Sequence, residues 1–99
     1  MRMILLAALI VIATQMPGRS QELLPCKSYG DLAEAIMQSR QGGVPLSDTM
    51  SAANGIAILE TLVIMAYAEP RYSTTKAQKR IVSDFRSDIE LACFTERRQ

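Results

Sequence analysis

Two cysteines, Cys26 and Cys93, are the residues of this sequence best suited to covalent chemistry, and they lie near opposite ends of the 99-residue chain. An even number of cysteines in an oxidising compartment predicts a disulfide. A structural zinc site needs four ligands, and the sequence contains no Cys-x-x-Cys redox motif. We therefore predict an intramolecular bridge between Cys26 and Cys93. Two buried free thiols and a bridge between two molecules are the alternatives.

Groups that could carry out catalysis are scarce. The sequence has no histidine, the side chain that most often serves as a general base or binds a metal ion. No serine, aspartate and glutamate stand at the spacing of a nucleophile and its base. The formal net charge of +1 indicates neither a nucleic-acid-binding protein nor an acidic tail. These features predict a protein that is not an enzyme, carries no metal or cofactor and binds no nucleic acid.

Three residues around Pro70, namely Tyr67, Arg71 and Tyr72, form the best candidate binding site in the sequence. Exposed tyrosine and arginine side chains are enriched among the residues that dominate protein–protein binding energy. We predict that these three residues contact a partner protein. The alternative is that Tyr67 packs on the core while Arg71 and Tyr72 cover a loop.

Glu60 and Arg40 could each have a functional or a purely structural role, and for both we favour the structural one. Glu60 interrupts an apolar segment, but buried carboxylates are rare, so we expect it to face solvent rather than act as an acid. Arg40 precedes Gly42 and Gly43, and it can hold an anion beside the next helix or interact with the dipole of its own helix. The second role is expected of a cation at any solvated helix end.

The first 20 residues have the order of a secretory signal peptide. Arg2 is followed by an apolar run over positions 3–13 and then by polar and small residues that include Pro17. The run is too short to span a bilayer, which needs roughly 20 residues. We predict a signal peptide over residues 1–20 and a helical domain over residues 21–99, located in the periplasm or secreted. Contact with the membrane would then be transient and confined to the signal peptide.

The cleavage site is less sharply defined than the signal peptide. Gly18 and Ser20 place small residues at the two positions that a signal peptidase reads, so we favour a cut after Ser20. A cut after Ala13 would leave a very short leader. Removal of residues 1–20 would leave 9 basic and 10 acidic residues among those that follow.

Hydrophobic periodicity predicts two helices in the first half of the remaining chain. The first begins near Ser28, a candidate cap, and ends at Gly42-Gly43. The second is short and is capped by Ser47. The apolar positions of the first helix recur at spacings of three and four and are Tyr29, Leu32, Ala33, Ile36 and Met37.

Two more helices are predicted in the second half. The segment from Ile56 to Ala68 is apolar almost all round, which favours a buried central helix ended by Pro70. Thr74 or Thr75 caps the last helix, and Thr75 with Gln78 has the spacing of a capping box. In this helix Arg80–Asp84 and Arg86–Glu90 are four residues apart and can form ion pairs. We predict an all-α fold, a small bundle of three to four helices closed by one disulfide.

The order of these features resembles a set of small exported bacterial proteins with a signal peptide and one cysteine near each end of a helical domain. The shared pattern comprises Cys26, a helix ending at Arg40-x-x-Gly43, a short helix after Ser47, the break Ala66-Tyr67-x-x-Pro70 and a last helix ending in Cys93. The set has no assigned activity. The resemblance therefore implies export and a helical fold, and it assigns no catalytic residue.

The sequence favours an exported protein that acts by binding another protein, as an accessory or inhibitory module. One alternative is a small protein held at the inner membrane by an uncut N-terminal segment. Another is a cytosolic protein with free thiols, and a third is a hydrolase that uses Glu60.

Overall fold

The computed structural model describes residues 24–98, and this part of the chain is entirely helical, without a strand. Four helices follow one another, and they are α1 (Cys26–Gln41), α2 (Leu46–Ala52), α3 (Ala57–Tyr67) and α4 (Thr75–Arg97). The predicted all-α fold is therefore confirmed. The predicted signal peptide lies outside the described residues.

The predicted disulfide between Cys26 and Cys93 is also confirmed. It joins the first residue of α1 to the C-terminal part of α4, and the two Cα atoms are 5.6 Å apart. Cys26 is buried, and Cys93 continues the inward face of α4 that Phe85 and Ile89 begin. The bridge thus fixes the start of the first helix to the end of the last one.

The hydrophobic core lies where α1 meets both α3 and α4. Six buried side chains form it, and they are Ala33, Met37, Leu62, Ala66, Phe85 and Ile89. α1 packs against α3 and more extensively against α4, whereas α3 and α4 make few close backbone contacts with each other. α1 is therefore the central helix of the bundle.

This arrangement corrects the prediction that α3 is a buried central helix. α3 is helical as expected, but Ile58, Ile64 and Met65 are 47%, 60% and 44% exposed. The apolar sequence of α3 would suit burial on all sides. Within residues 24–98, however, only α1 and α2 pack extensively on it, so one of its faces has no helix to cover it.

Prolines begin the first two helices, and the predicted serine caps are wrong. Pro25 and Pro45 occupy the N-cap positions with extended ψ values, and neither helix has a side-chain cap. Ser28 and Ser47 lie inside the first turn of their helices instead. Proline fixes φ near the helical value, which sets the start of each helix ahead of the serine.

The start of α4 confirms one of the two predicted threonine caps. Thr74 is the N-cap, and its hydroxyl accepts a hydrogen bond from the Ala77 backbone N–H at 3.1 Å. The predicted capping box of Thr75 with Gln78 is wrong, because the Gln78 amide donates to the Tyr72 carbonyl at 2.7 Å. Gln78 therefore fastens the preceding turn to α4.

An ion-pair cluster around Arg86 joins α4 to α1. The guanidinium lies 2.7 Å from carboxylate oxygens of both Asp31 and Glu34 and 3.0 Å from Glu90. The last contact confirms the predicted Arg86–Glu90 pair. The predicted Arg80–Asp84 pair is not found among the ion pairs of the described region.

The Asp31 carboxylate should make the stability of the protein depend on pH. A hydrogen bond from Arg86 holds the pKa of Asp31 below its ordinary value. Because the pKa is lower in the folded protein, the contribution is present above the unfolded pKa of about 3.9 and is lost as pH falls through the folded value. We expect Arg86→Gln to raise the Asp31 pKa in an NMR titration of the carboxyl carbon. Arg80→Gln serves as the control, and equal titration of Asp31 in both variants would contradict the assignment.

Candidate functional site

Tyr67, the first residue of the predicted binding cluster, has its hydroxyl committed to contacts within the protein. The hydroxyl donates to the Val44 carbonyl at 2.7 Å and shares a second hydrogen bond with the Thr49 hydroxyl, also at 2.7 Å. The Arg40 guanidinium lies 5.3 Å from the centre of the Tyr67 ring. These contacts hold the end of α3 against the end of α1, the loop that follows it and α2.

Arg71 and Tyr72 are both exposed. The Arg71 Nε and the Tyr72 backbone N–H nevertheless anchor the turn after α3 to Gln41. Arg71 Nε donates to the Gln41 carbonyl at 3.1 Å, and its guanidinium lies against Gly43, which has a φ of +87°. Tyr72 is 38% exposed. That these two side chains contact a partner therefore stays a prediction.

Gln41 is the residue at the centre of this turn, and the sequence reasoning missed it. The residue is only 3% exposed. Its side-chain amide nitrogen donates to the Pro70 carbonyl at 2.9 Å, and its amide oxygen accepts from the Tyr72 N–H at 2.8 Å. The sequence does contain a signal for its burial, because Gln41 follows Ala33 and Met37 at intervals of four on the inward face of α1. A polar side chain at such a position requires partners when it is buried.

Arg40 contributes to the same turn. Its Nε donates to the Glu69 carbonyl at 3.0 Å, so consecutive residues at the end of α1 bind the carbonyls of consecutive residues after α3. As expected, Arg40 also lies in the last turn of its helix, where a cation interacts favourably with the dipole. This part of the molecule is an internal clasp built by Arg40 and Gln41.

Glu60 lies in the first turn of α3 and is half-buried. A carboxylate in this position interacts favourably with the positive end of the helix dipole. Across residues 24–98 no group of three potential ligands comes together to hold a metal ion. The position of Glu60 is therefore explained by its favourable interaction with the N-terminal end of α3.

An apolar groove lies between α3 and the C-terminal half of α4. Its volume is about 520 Å³. One wall comprises Ile58, Thr61, Leu62 and Met65 of α3, and the other comprises Ile89, Ala92, Cys93 and Glu96 of α4. Both sets recur at spacings of three and four, so each wall is two helical turns long.

The floor and one end of the groove are formed by α1 and by charged residues of α4. Tyr29 lies at the floor, and Arg97 places its guanidinium 5.7 Å from the centre of the Tyr29 ring. Glu96 joins Arg97 at this end. The groove is thus apolar along its length and polar at one end, a combination that suits an amphipathic segment.

Sequence reasoning missed this groove because it assigned the apolar residues of α3 to the core. Ile58 and Met65 are 47% and 44% exposed, although the one-dimensional pattern gives them the same character as the buried Leu62 and Val63. The disulfide also helps to form the site, since Cys93 lies in its wall.

Comparison with known proteins gives no relative for this chain, since no protein-family model, no curated protein and no solved structure matches it. The resemblance to small exported bacterial proteins accordingly stays a prediction. In the region from residue 24 to residue 98, no helix has both the length and the apolar character needed to cross a membrane.

Proposed function

We propose that this chain is an exported helical protein that acts by binding another protein, and that the groove between α3 and α4 is its binding surface. The observation that carries the proposal is the pair of apolar walls, with Ile58 and Met65 left about half exposed. Soluble proteins that expose a contiguous apolar surface of this kind usually use it for binding.

The disulfide and the N-terminal sequence support the exported location. Disulfides persist outside the reducing cytosol, and the bridge between Cys26 and Cys93 leaves no free cysteine in the described part of the chain. The leader-like residues 1–20 provide the route. Intact-mass measurement of the protein from its native compartment tests this location, because export predicts an N-terminus at Gln21 and a mass that rises by two hydrogens on reduction. An uncut N-terminus would instead favour the membrane-anchored alternative.

An amphipathic helix is the kind of segment that the groove suits. The two walls are each about two turns long, and side chains at positions i, i+3 or i+4, and i+7 of an added helix would face them. An added helix would also complete a four-helix arrangement around the apolar walls. The predicted contacts of Arg71 and Tyr72 concern a different surface, on the turn after α3.

A selection from a displayed library of helical peptides tests the groove. We expect peptides enriched on the oxidised protein to carry apolar residues at helical spacing and to bind Ile58→Glu at least about 10-fold more weakly, because the new carboxylate must be desolvated. Ile58 is half exposed, so the substitution leaves the core intact.

Leu91→Glu is the matched control, since Leu91 is an exposed apolar residue of α4 that does not line the groove. Retained binding by this variant would place the peptides in the groove. Failure to enrich any helical peptide, or equal loss of binding in both variants, would refute the proposed surface.

A further inference from the structure

The turn between α2 and α3 contains Asn54 followed by Gly55, and Asn54 is the single asparagine of the sequence. Both residues have positive φ values, 54° for Asn54 and 75° for Gly55. The Ile56 N–H donates to the Ala53 carbonyl at 3.0 Å across them. These features define a type I′ turn, in which asparagine and glycine are favoured because they tolerate the left-handed region of φ.

Two groups of this turn are able to react with each other. The side-chain carbonyl carbon of Asn54, Cγ, is an electrophile, and the backbone nitrogen of Gly55 is a nucleophile that closes a five-membered ring on it. Because the two groups belong to consecutive residues, no second reactant has to be brought into place. Asparagine is accordingly one of the thermolabile residues of proteins.

The fold leaves both reacting groups accessible. Asn54 and Gly55 are exposed. Among residues 24–98 the Asn54 side-chain amide makes no hydrogen bond, and the Gly55 N–H donates to no acceptor. Apart from its chain neighbours, no atom of the described region lies within 4 Å of the position that a Gly55 Cβ would occupy. The attacking nitrogen is therefore neither hydrogen-bonded nor crowded by another helix.

The other amide residue followed by glycine, Gln41 before Gly42, shows the opposite situation. Gln41 is 3% exposed, and its side-chain nitrogen and oxygen are bonded to Pro70 and Tyr72. The Gly42 N–H donates to the Gln38 carbonyl at 2.8 Å. Both reacting groups are thus held in place at this second pair, which makes it an internal control for the pair at Asn54.

We propose that Asn54 is a site of spontaneous covalent modification in the folded protein, where its side-chain amide is converted to a carboxylate by way of a cyclic imide. The bond between the Gly55 nitrogen and Asn54 Cγ forms, and the bond between Cγ and Nδ2 breaks. The proton of the Gly55 N–H leaves with Nδ2 as ammonia. The reaction requires no oxidant and no cofactor.

Water then opens the cyclic imide in one of two ways. Addition of water at Cγ breaks the new bond to the Gly55 nitrogen and gives aspartate at position 54. Addition at the backbone carbonyl carbon breaks the original peptide bond instead and gives isoaspartate, so that the main chain runs through the former side chain. Both products carry one more negative charge than the original residue.

The isoaspartate product alters the start of α3. It inserts an additional atom into the main chain between Ala53 and Ile56, whose hydrogen bond closes the turn. Ile56 is the N-cap of α3, and no side chain caps this helix. We therefore expect the Ile56 amide to exchange with solvent faster in the isoaspartate form than in the original protein.

Prolonged incubation of the folded, disulfide-bonded protein in heavy-oxygen water tests the proposal. Mass spectrometry of the peptide that contains Asn54 should show –NH2 replaced by –OH carrying one solvent oxygen, and fragmentation should identify isoaspartate beside aspartate. The conversion should be faster at alkaline pH than at neutral pH, because the attacking nitrogen must lose its proton. The peptide that contains Gln41 should keep its mass.

Asn54→Gly is the matched variant, since glycine suits the positive φ and lacks the side-chain carbonyl. It should keep the circular dichroism spectrum of the wild type and lose the mass change. The urea-unfolded wild type is the positive control for the assay. If Asn54 keeps its mass in the folded protein, the turn protects it and the proposal is overturned.

Low concentrations of urea distinguish reaction in the folded turn from reaction in the unfolded chain. A reaction in the folded protein should proceed at a rate that hardly changes with urea below the unfolding transition. A rate that rises about fivefold or more per molar of urea would follow the unfolded population and would overturn the proposal. The result is independent of peptide binding by the groove.

Discussion

Removal of the disulfide by Cys26→Ala with Cys93→Ala is expected to lower the melting temperature by about 20 °C. The two cysteines are 67 positions apart, and the chain-entropy model gives a bridge over such a loop about 4 kcal/mol of stabilisation. The described domain buries only nine apolar residues, and small domains have a net stability of only a few kcal/mol. Loss of the bridge therefore removes most of the stability.

Thermal and urea unfolding followed by circular dichroism measures this effect. Wild type treated with a reductant is the matched control, because it keeps both side chains and should unfold at nearly the same temperature as the double variant. If oxidised, reduced and cysteine-free proteins melted within about 3 °C of one another, the bridge would contribute less than 1 kcal/mol. The claim that it closes the fold energetically would then be wrong.

Substitution of Gln41 by alanine is expected to lower the free energy of unfolding by about 3 kcal/mol. The change removes the partners of the Pro70 carbonyl and the Tyr72 N–H, and each unsatisfied polar group costs about 1–3 kcal/mol when it is shielded from water. Gln38→Ala changes the same residue type one turn earlier in α1, at an exposed position. It should change stability by less than about 0.5 kcal/mol.

Equilibrium urea unfolding compares the two glutamine variants, and hydrogen exchange locates the effect. The Tyr72 amide should exchange much faster in Gln41→Ala than in Gln38→Ala, because only the first variant frees it. Similar stability of the two variants would show that water satisfies the Pro70 carbonyl and the Tyr72 N–H at little cost in free energy when the Gln41 side chain is removed. Gln41→Glu keeps the volume of the side chain and loses the amide donor, so it should also be destabilised.

The helices were predictable because local sequence determines them. Apolar spacing and the glycines at 42 and 43 predicted α1 and its end, and Thr74 was among the predicted caps of α4. The errors arose where a proline took the N-cap position, because Pro25 and Pro45 start α1 and α2 before the serines that the capping pattern favours. Gln78 likewise found a better acceptor at the Tyr72 carbonyl than its predicted capping role.

The candidate site was harder to predict, because exposure depends on which helices are neighbours. Leu62 and Ile64 are both apolar residues of α3, yet the first is 2% exposed and the second is 60% exposed. No periodicity within α3 distinguishes them, since its sequence is apolar on nearly every side. Gln41 presents the reverse case, a polar residue whose burial follows from partners about 30 positions away.

The sequence by itself determined the helical class, the approximate helices and the pairing of Cys26 with Cys93, because these depend on local spacing and on having only two cysteines to join. The tertiary structure decided that α1 is central, that Gln41 fastens the turn after α3 and that, within residues 24–98, no helix covers one face of α3. The physical reason is that burial is shared among helices, so the surface left exposed is known only once each helix has its neighbours.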